Sequence, residues 1–144
     1  MEEIKIMTLE NLEEALDFEM ERVEGEGIEK EMLSWHAPWR REALSHYLPQ
    51  GWSFVKKKDG KIIGYVMAQP ILFFQGWTQT LWVEHVAGID EKTGIEMLEI
   101  AYRWAKDKHL QKVFFKQELP FASLVDFGTK NIEGALFSMN TTKI

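Results

Sequence analysis

TQTLWVEHVAGIDEKTGIEMLEIAYRWAKDKHLQKVFFKQ, residues Thr78 to Gln117, decides the fold. Thr78 to Val86 is rich in aromatic and β-branched residues, the composition of a strand. Ile95, Leu98, Ala101, Tyr102 and Ala105 then recur at helical spacing, which predicts a helix opening near Asp90. Lys112 to Gln117 returns to strand composition. A strand, a helix and a strand in this order form a βαβ unit, whose two strands should lie parallel and adjacent. Gly94 stands near the first turn of the helix. A glycine there either lets backbone approach a phosphate or packs closely where the helix meets the sheet, and a single glycine does not choose. Asp90, Glu91 and Glu96 crowd the same helix mouth with negative charge.

Upstream, Trp52 to Lys58 and Lys61 to Ala68 are β-rich runs joined by Asp59-Gly60, the signature of a two-residue hairpin. Pro70 belongs at an edge or a break, because it cannot donate to a ladder. Gln75-Gly76-Trp77 turns the chain into the strand of the βαβ unit. Near the start, Ile4 to Met7 reads as a short strand. Thr8 caps a helix whose apolar positions are Leu12, Ala15, Leu16, Phe18 and Val23. Glu24-Gly25-Glu26-Gly27 stops it. A second helical segment carries Met32, Leu33, Trp35 and His36, and Pro38 suggests a new helix over Trp39 to Leu48. Beyond the βαβ unit, Pro120 and Gly128 bracket a short helix, Phe121 to Phe127, and Ala135 to Asn140 is a closing strand. The order β-α-α-β-β-β-α-β-α-β predicts an α+β domain over residues 1–144, a mixed sheet with helices on both faces.

Composition narrows the function. The 144 residues are 45% hydrophobic and 28% charged, as in a soluble globular chain with a real core. The N-terminal MEEIKIMTLE lacks the features of a signal peptide and no apolar run reaches membrane-span length, so a cytoplasmic address is expected. The absence of cysteine excludes disulfides and thiolate chemistry. His36, His46, His85 and His109 lie far apart without a metal-binding spacing, so no metal site is expected. A net charge of −6 opposes broad nucleic-acid binding.

With its elements in this order, the chain resembles the GNAT superfamily of acyl-CoA-dependent N-acetyltransferases. KDGKIIGYVMA is similar to the family's glycine-containing hairpin. EHVAGIDEKTGIEMLEIAYRWAKDKHLQKVFF resembles the pattern in which a strand ending in valine leads to R/Q-x-x-G-x-G/A and a long helix. Val86 matches the valine, Gly94 the first glycine and Leu98 the following leucine. The resemblance implies acetyl-CoA as cofactor, with Val86, Lys92, Thr93, Gly94, Ile95 and Glu96 at its site. The departures fall on the chemistry: Glu91 replaces the family's Arg or Gln, and Glu96 replaces its second small residue, which gives a degenerate signature.

The family's general base is often a carboxylate on the strand before this signature, and Glu84 and His85 are the nearest acid–base groups. The bland alternatives are a half-buried, salt-bridged glutamate and a satisfied core histidine. Glu84 is expected to share a strand face with Val86, and His85 to point the opposite way. The family's usual tyrosine acid has no counterpart in FASLVDFG. Trp35, Trp39 and Arg40, with His36, fall where the family covers its acceptor cleft, although large aromatics on amphipathic helices are usually core. ILFFQGW, with Trp82, is either core or an apolar edge for homodimerisation. Two functions follow: transfer of an acyl group to a small-molecule or peptide amine, or noncatalytic ligand or partner binding on the same scaffold.

Overall fold

The structure, a computed structural model, describes residues 1–116 and Met139. The chain forms β1 (Glu2–Ile6), α1 (Leu12–Arg22), α2 (Gly27–Ser34), α3 (Arg41–Tyr47), β2 (Phe54–Lys58), β3 (Lys61–Phe74), β4 (Trp77–Gly88), α4 (Glu91–Asp107) and β5 (Lys112–Phe115). The expected helix over Phe121 to Phe127 and strand over Ala135 to Asn140 lie outside the described residues. Thr8 caps a short 3₁₀ turn, Leu9–Asn11, that leads into α1.

The five strands lie in the order β1-β2-β3-β4-β5. The first three pairings are antiparallel, and β4 pairs parallel with β5 from Thr80↔Lys112 to Val83↔Phe115. The βαβ expectation is met. Both hairpins turn on two residues with positive φ: Asp59 and Gly60 at 52° and 81°, Gln75 and Gly76 at 51° and 82°. Such turns match the twist of the flanking strands, and glycine adopts the second position without strain.

Alternation along β3 divides the core between the two faces of the sheet. Tyr65 and Met67 pack with Leu12 and Ala15 of α1 and with Leu44 and Tyr47 of α3. Val66 and Ala68 pack with Leu81 and Val83 of β4 and with Met97, Leu98, Ala101 and Ala105 of α4. The sheet is mixed and helices cover both faces, an α+β arrangement. No helix of the described residues is long and apolar enough to cross a membrane.

Two expectations shift. Strand β3 runs through Pro70 to Phe74. Its ladder with β2 ends at Phe54↔Val66, so among the described residues Pro70 pairs with β4 alone, at an edge as expected; what shifts is the strand's end, from Ala68 to Phe74. Pro38 does not start a helix. Arg40 N–H donates to the Ala37 carbonyl at 3.1 Å, which makes Pro38 the second residue of a tight turn, a position its fixed φ suits. Helix α3 begins afterwards at Arg41, with Arg40 extended as its cap.

Candidate functional site: a strand bulge and a helix mouth

The register between β3 and β4 slips once. Met67 lies opposite His85 and Ala68 opposite Val83, leaving Glu84 as the extra residue of a β-bulge. The bulge overturns the expected facing of these side chains. Strict alternation would put Glu84 with Val86 and His85 opposite. Instead Glu84 meets Trp82 and Tyr47, and His85 meets Glu19, all on the α1–α3 side. Val86 packs on the α4 side. One inserted residue therefore brings an acid and an imidazole onto one face.

Glu84 is held from one side. Its Oε2 accepts from Trp82 Nε1 at 2.7 Å and from Tyr47 Oη at 3.1 Å. Lys116 Nζ is 3.8 Å from the other oxygen, Oε1. The carboxylate side chain keeps 22% of its exposure, enough for a small group to reach it. Burial, and then the Glu84 charge and hydrogen bond, push the Tyr47 phenol up to about 12, so it stays protonated as a donor at neutral pH. Beside this pair, His85 Nε2 is 2.8 Å from Glu19 Oε2, and Glu19 is almost wholly buried. Tyr65 packs 5.6 Å from the His85 ring, centroid to centroid. Burial raises its phenol well above the ordinary range, and the Glu19 charge adds to the effect.

The pairing of β4 with β5 stops at Val83↔Phe115, whereas its pairing with β3 continues to Gly64↔Gly88. Past the bulge, Glu84 to Gly88 have no β5 partner among the described residues. This backbone edge leads to the mouth of α4. There Gly88 permits a close approach: a Cβ on it would lie 2.6 Å from Gly94 N and 2.8 Å from the Asp90 carbonyl oxygen. Thr93 and Gly94 are buried against the strand end. Ile95 packs partly buried against the α4-side core.

The helix mouth is capped by its own chain. An Asp90 carboxylate oxygen accepts from Thr93 N–H at 2.7 Å. Hydrogen bonds from the Thr93 side chain and backbone hold the Asp90 carboxyl below its ordinary range. Gly94 N–H donates to the Asp90 carbonyl at 3.2 Å. Glu96 does not stand unopposed, because its carboxylate is bonded to Lys56 Nζ, which also lies 3.4 Å from Glu2. Glu91 and Lys92 are exposed at the mouth.

The two tryptophans part company. Trp39 is buried in the α1–α3 core, whereas Trp35 is 54% exposed. Arg40 turns back on its own segment, donating to the Ala37 carbonyl at 3.2 Å and lying 3.6 Å from Glu42. The sequence gives no local sign of Tyr47 or Glu19 as partners of β4. The adjacent Glu84-His85 pair was visible, but the bulge that turns both to one face was not.

No family model and no curated protein matches the sequence. Solved structures do match. Ribosomal-protein-alanine N-acetyltransferase from Brucella melitensis biovar Abortus 2308 superposes at a TM-score of 0.65, with 11% identity over 99% of this chain and 100% of that one. This is the GNAT fold. The aminoglycoside acetyltransferase HMB0005 from an uncultured soil metagenomic sample gives 0.66, with 12% identity over 99% of each chain. A transcriptional regulator from Bacillus halodurans C-125 gives 0.63, with 14% identity over 97% of this chain and 100% of that one. Structures with such different descriptions share the GNAT fold, so activity has to be argued from the site.

Proposed function

We propose that the protein is an acetyl-CoA-dependent N-acyltransferase acting on an amine, with Glu84 as the general base. The observation that carries this reading is the bulge. It sets the Glu84 carboxylate on the α1–α3 face with Oε2 held by two donors, Oε1 3.8 Å from Lys116 Nζ, and the side chain as a whole 22% exposed. When bound, acetyl-CoA supplies a thioester whose carbonyl carbon receives the acceptor nitrogen. The β4 edge from Glu84 to Gly88, unpaired on its β5 side among the described residues, and the exposed Lys92 are the groups suited to hold it, by strand-like backbone pairing and by charge. Glu84 Oε1 takes a proton from the incoming ammonium, which frees the nitrogen lone pair for the new C–N bond; the C–S bond breaks, CoA leaves as the thiolate, and the second nitrogen proton reaches it through water. Tyr47 and Trp82 keep the carboxylate from rotating. Positioning of the amine beside the thioester supplies much of the remaining rate.

The mouth of α4 favours a second reading, a noncatalytic GNAT-fold protein that binds a ligand or partner. Asp90 already satisfies the amide of Thr93 with a carboxylate, where phosphate would have to compete. Calorimetric titration with acetyl-CoA and with CoA, followed by thiol release over a panel of polyamines, aminoglycosides and N-terminal peptides, separates the two. Saturable acetyl-CoA binding with amine-dependent thiol release supports the transferase. Absence of binding to either ligand overturns it.

A further inference from the structure

Strand β1 is the outer strand of the sheet, and among the described residues it pairs only with β2. All five of its side chains are exposed, Ile4 at 47% and Ile6 at 42%. Its register with β2 runs unbroken from Glu2↔Lys58 to Ile6↔Phe54. Soluble proteins usually blunt such an edge by keeping it short, by charges (lysine above all), or by a proline or a bulge; β1 is five residues long and carries Lys5. Here no proline or bulge interrupts it. The bonds to β2 fix which backbone groups face outward. Asp59 N–H donates to the Met1 carbonyl at 3.0 Å, and Met7 N–H to the Ser53 carbonyl at 2.8 Å. Odd-numbered residues thus turn to β2, and Glu2, Ile4 and Ile6 present their N–H and C=O groups to the free side.

We propose that this edge binds a second copy of the chain, the two β1 strands pairing antiparallel about a twofold axis at Ile4. In that register Ile4 exchanges both backbone bonds with the other copy's Ile4, and Glu2 stands opposite Ile6. Glu3 stands opposite Lys5, and by symmetry Lys5 opposite Glu3. These charge pairs occupy the non-hydrogen-bonded positions, where side chains come closest. The other face gains a row of four isoleucines, two from each copy. Neighbouring registers that preserve the backbone bonds centre on Glu3 or on Lys5, and each sets like charges directly opposite, which is destabilising. Charge therefore selects the Ile4 register. A twofold interface of this kind is self-complementary and closes after two copies. With only five residues of pairing, the dimer is weak and concentration-dependent.

Sedimentation velocity of the full chain, from micromolar to near-millimolar concentration at low salt, tests this. The natural protein should dimerise reversibly. Glu3→Lys and Lys5→Glu should each weaken the dimer about tenfold, since each sets like charges opposite at two positions. An equimolar mixture of the two variants should associate as well as the natural protein, because every charge then meets its opposite. Amide exchange at Ile4 and Ile6 of the natural protein should slow as concentration rises, a readout that needs no variant. A natural protein that stays monomeric throughout overturns the proposal. So do single variants that associate as well as the natural protein, a mixture that gains nothing, or exchange at Ile4 independent of concentration.

Discussion

Two carboxylates close together on the same run of chain, Glu84 at the β4 bulge and Asp90 at the mouth of α4, sit in opposite circumstances. Glu84 has two hydrogen-bond donors on one oxygen and the Lys116 ammonium 3.8 Å from the other, and its side chain stays 22% exposed. Asp90 is engaged by the backbone and side chain of Thr93 and serves the helix. Both are acids beside a place where chemistry is conceivable. What separates them is the supply of local donors. A helix start has spare N–H groups that a nearby carboxylate satisfies, whereas a bulge on a strand turns its side chain away from the ladder, toward whatever packs above. The first makes a cap, and the second leaves a carboxylate on the sheet face, where the proposed mechanism uses it.

The strongest test of this contrast is Glu84→Gln. With Glu84 as the base, turnover should fall by about 100- to 10,000-fold, and the acidic limb of the pH–rate profile should vanish. Acetyl-CoA affinity by titration should hardly change. Unaltered turnover would put Glu84 back among structural glutamates, with His85→Ala as the next variant to assay.

Gly88→Ala acts on the other site. Its added methyl would meet backbone at Gly94 and Asp90, which cannot swing aside as a flexible side chain does. Urea unfolding should show a loss of about 1–3 kcal/mol. Exchange at the first turn of α4 should quicken while the Tyr47–Glu84 bond remains. A neutral result would mean the strand end and helix start are more loosely joined than their contacts indicate.

Tyr47→Phe probes the bulge more gently. Glu84 keeps the Trp82 bond, so turnover should drop by roughly 10-fold, within the value of one hydrogen bond to a charged group. Alkaline stability gives an independent reading. The folded-state pKa of Tyr47 is raised from 10.0 to about 12, so its contribution is complete below pH 10. As pH climbs from 10 to about 12, the unfolded chain ionises first and stability falls, by roughly 3 kcal/mol at most. Tyr47→Phe should flatten this decline in part, since Tyr65 shifts in the same direction. An unchanged alkaline slope would place the Tyr47 hydroxyl outside the buried network.

The fold was legible where periodicity and turn chemistry agree. Asp59-Gly60, the α4 stripe and the return strand at Lys112 gave both the hairpin and the parallel pair. The site was legible only as candidates. Alternation predicts opposite faces for Glu84 and His85, and a single extra residue in β4 cancels that rule. The partners of both, Tyr47 and Glu19, come from helices distant in sequence, and contacts of that kind leave no local pattern. Pro38 misled for a different reason: the same fixed φ suits a helix start and a tight turn, and the chain uses the turn.

The smallest expected effect falls on the helix mouth, at Asp90. The family resemblance directed attention to Glu91 and Glu96 as the charges opposing a phosphate. Replacing Glu96 is a poor test, because it would leave the Lys56 ammonium without its bonded partner. Asp90→Asn is cleaner. Asparagine caps helices about as well as aspartate, so stability should stay within about 0.5 kcal/mol. Removing the charge takes away its repulsion of a nearby phosphate, so CoA should bind about fivefold tighter. The gain should shrink as salt is added, because exposed charges are screened. Dephospho-CoA, which keeps the pyrophosphate but lacks the ribose phosphate, should show the same gain if the pyrophosphate is the group approaching the mouth. If Asp90→Asn leaves CoA affinity unchanged at low salt, no phosphate approaches this mouth, and α4 is an ordinary capped helix behind a site that lies wholly at the bulge.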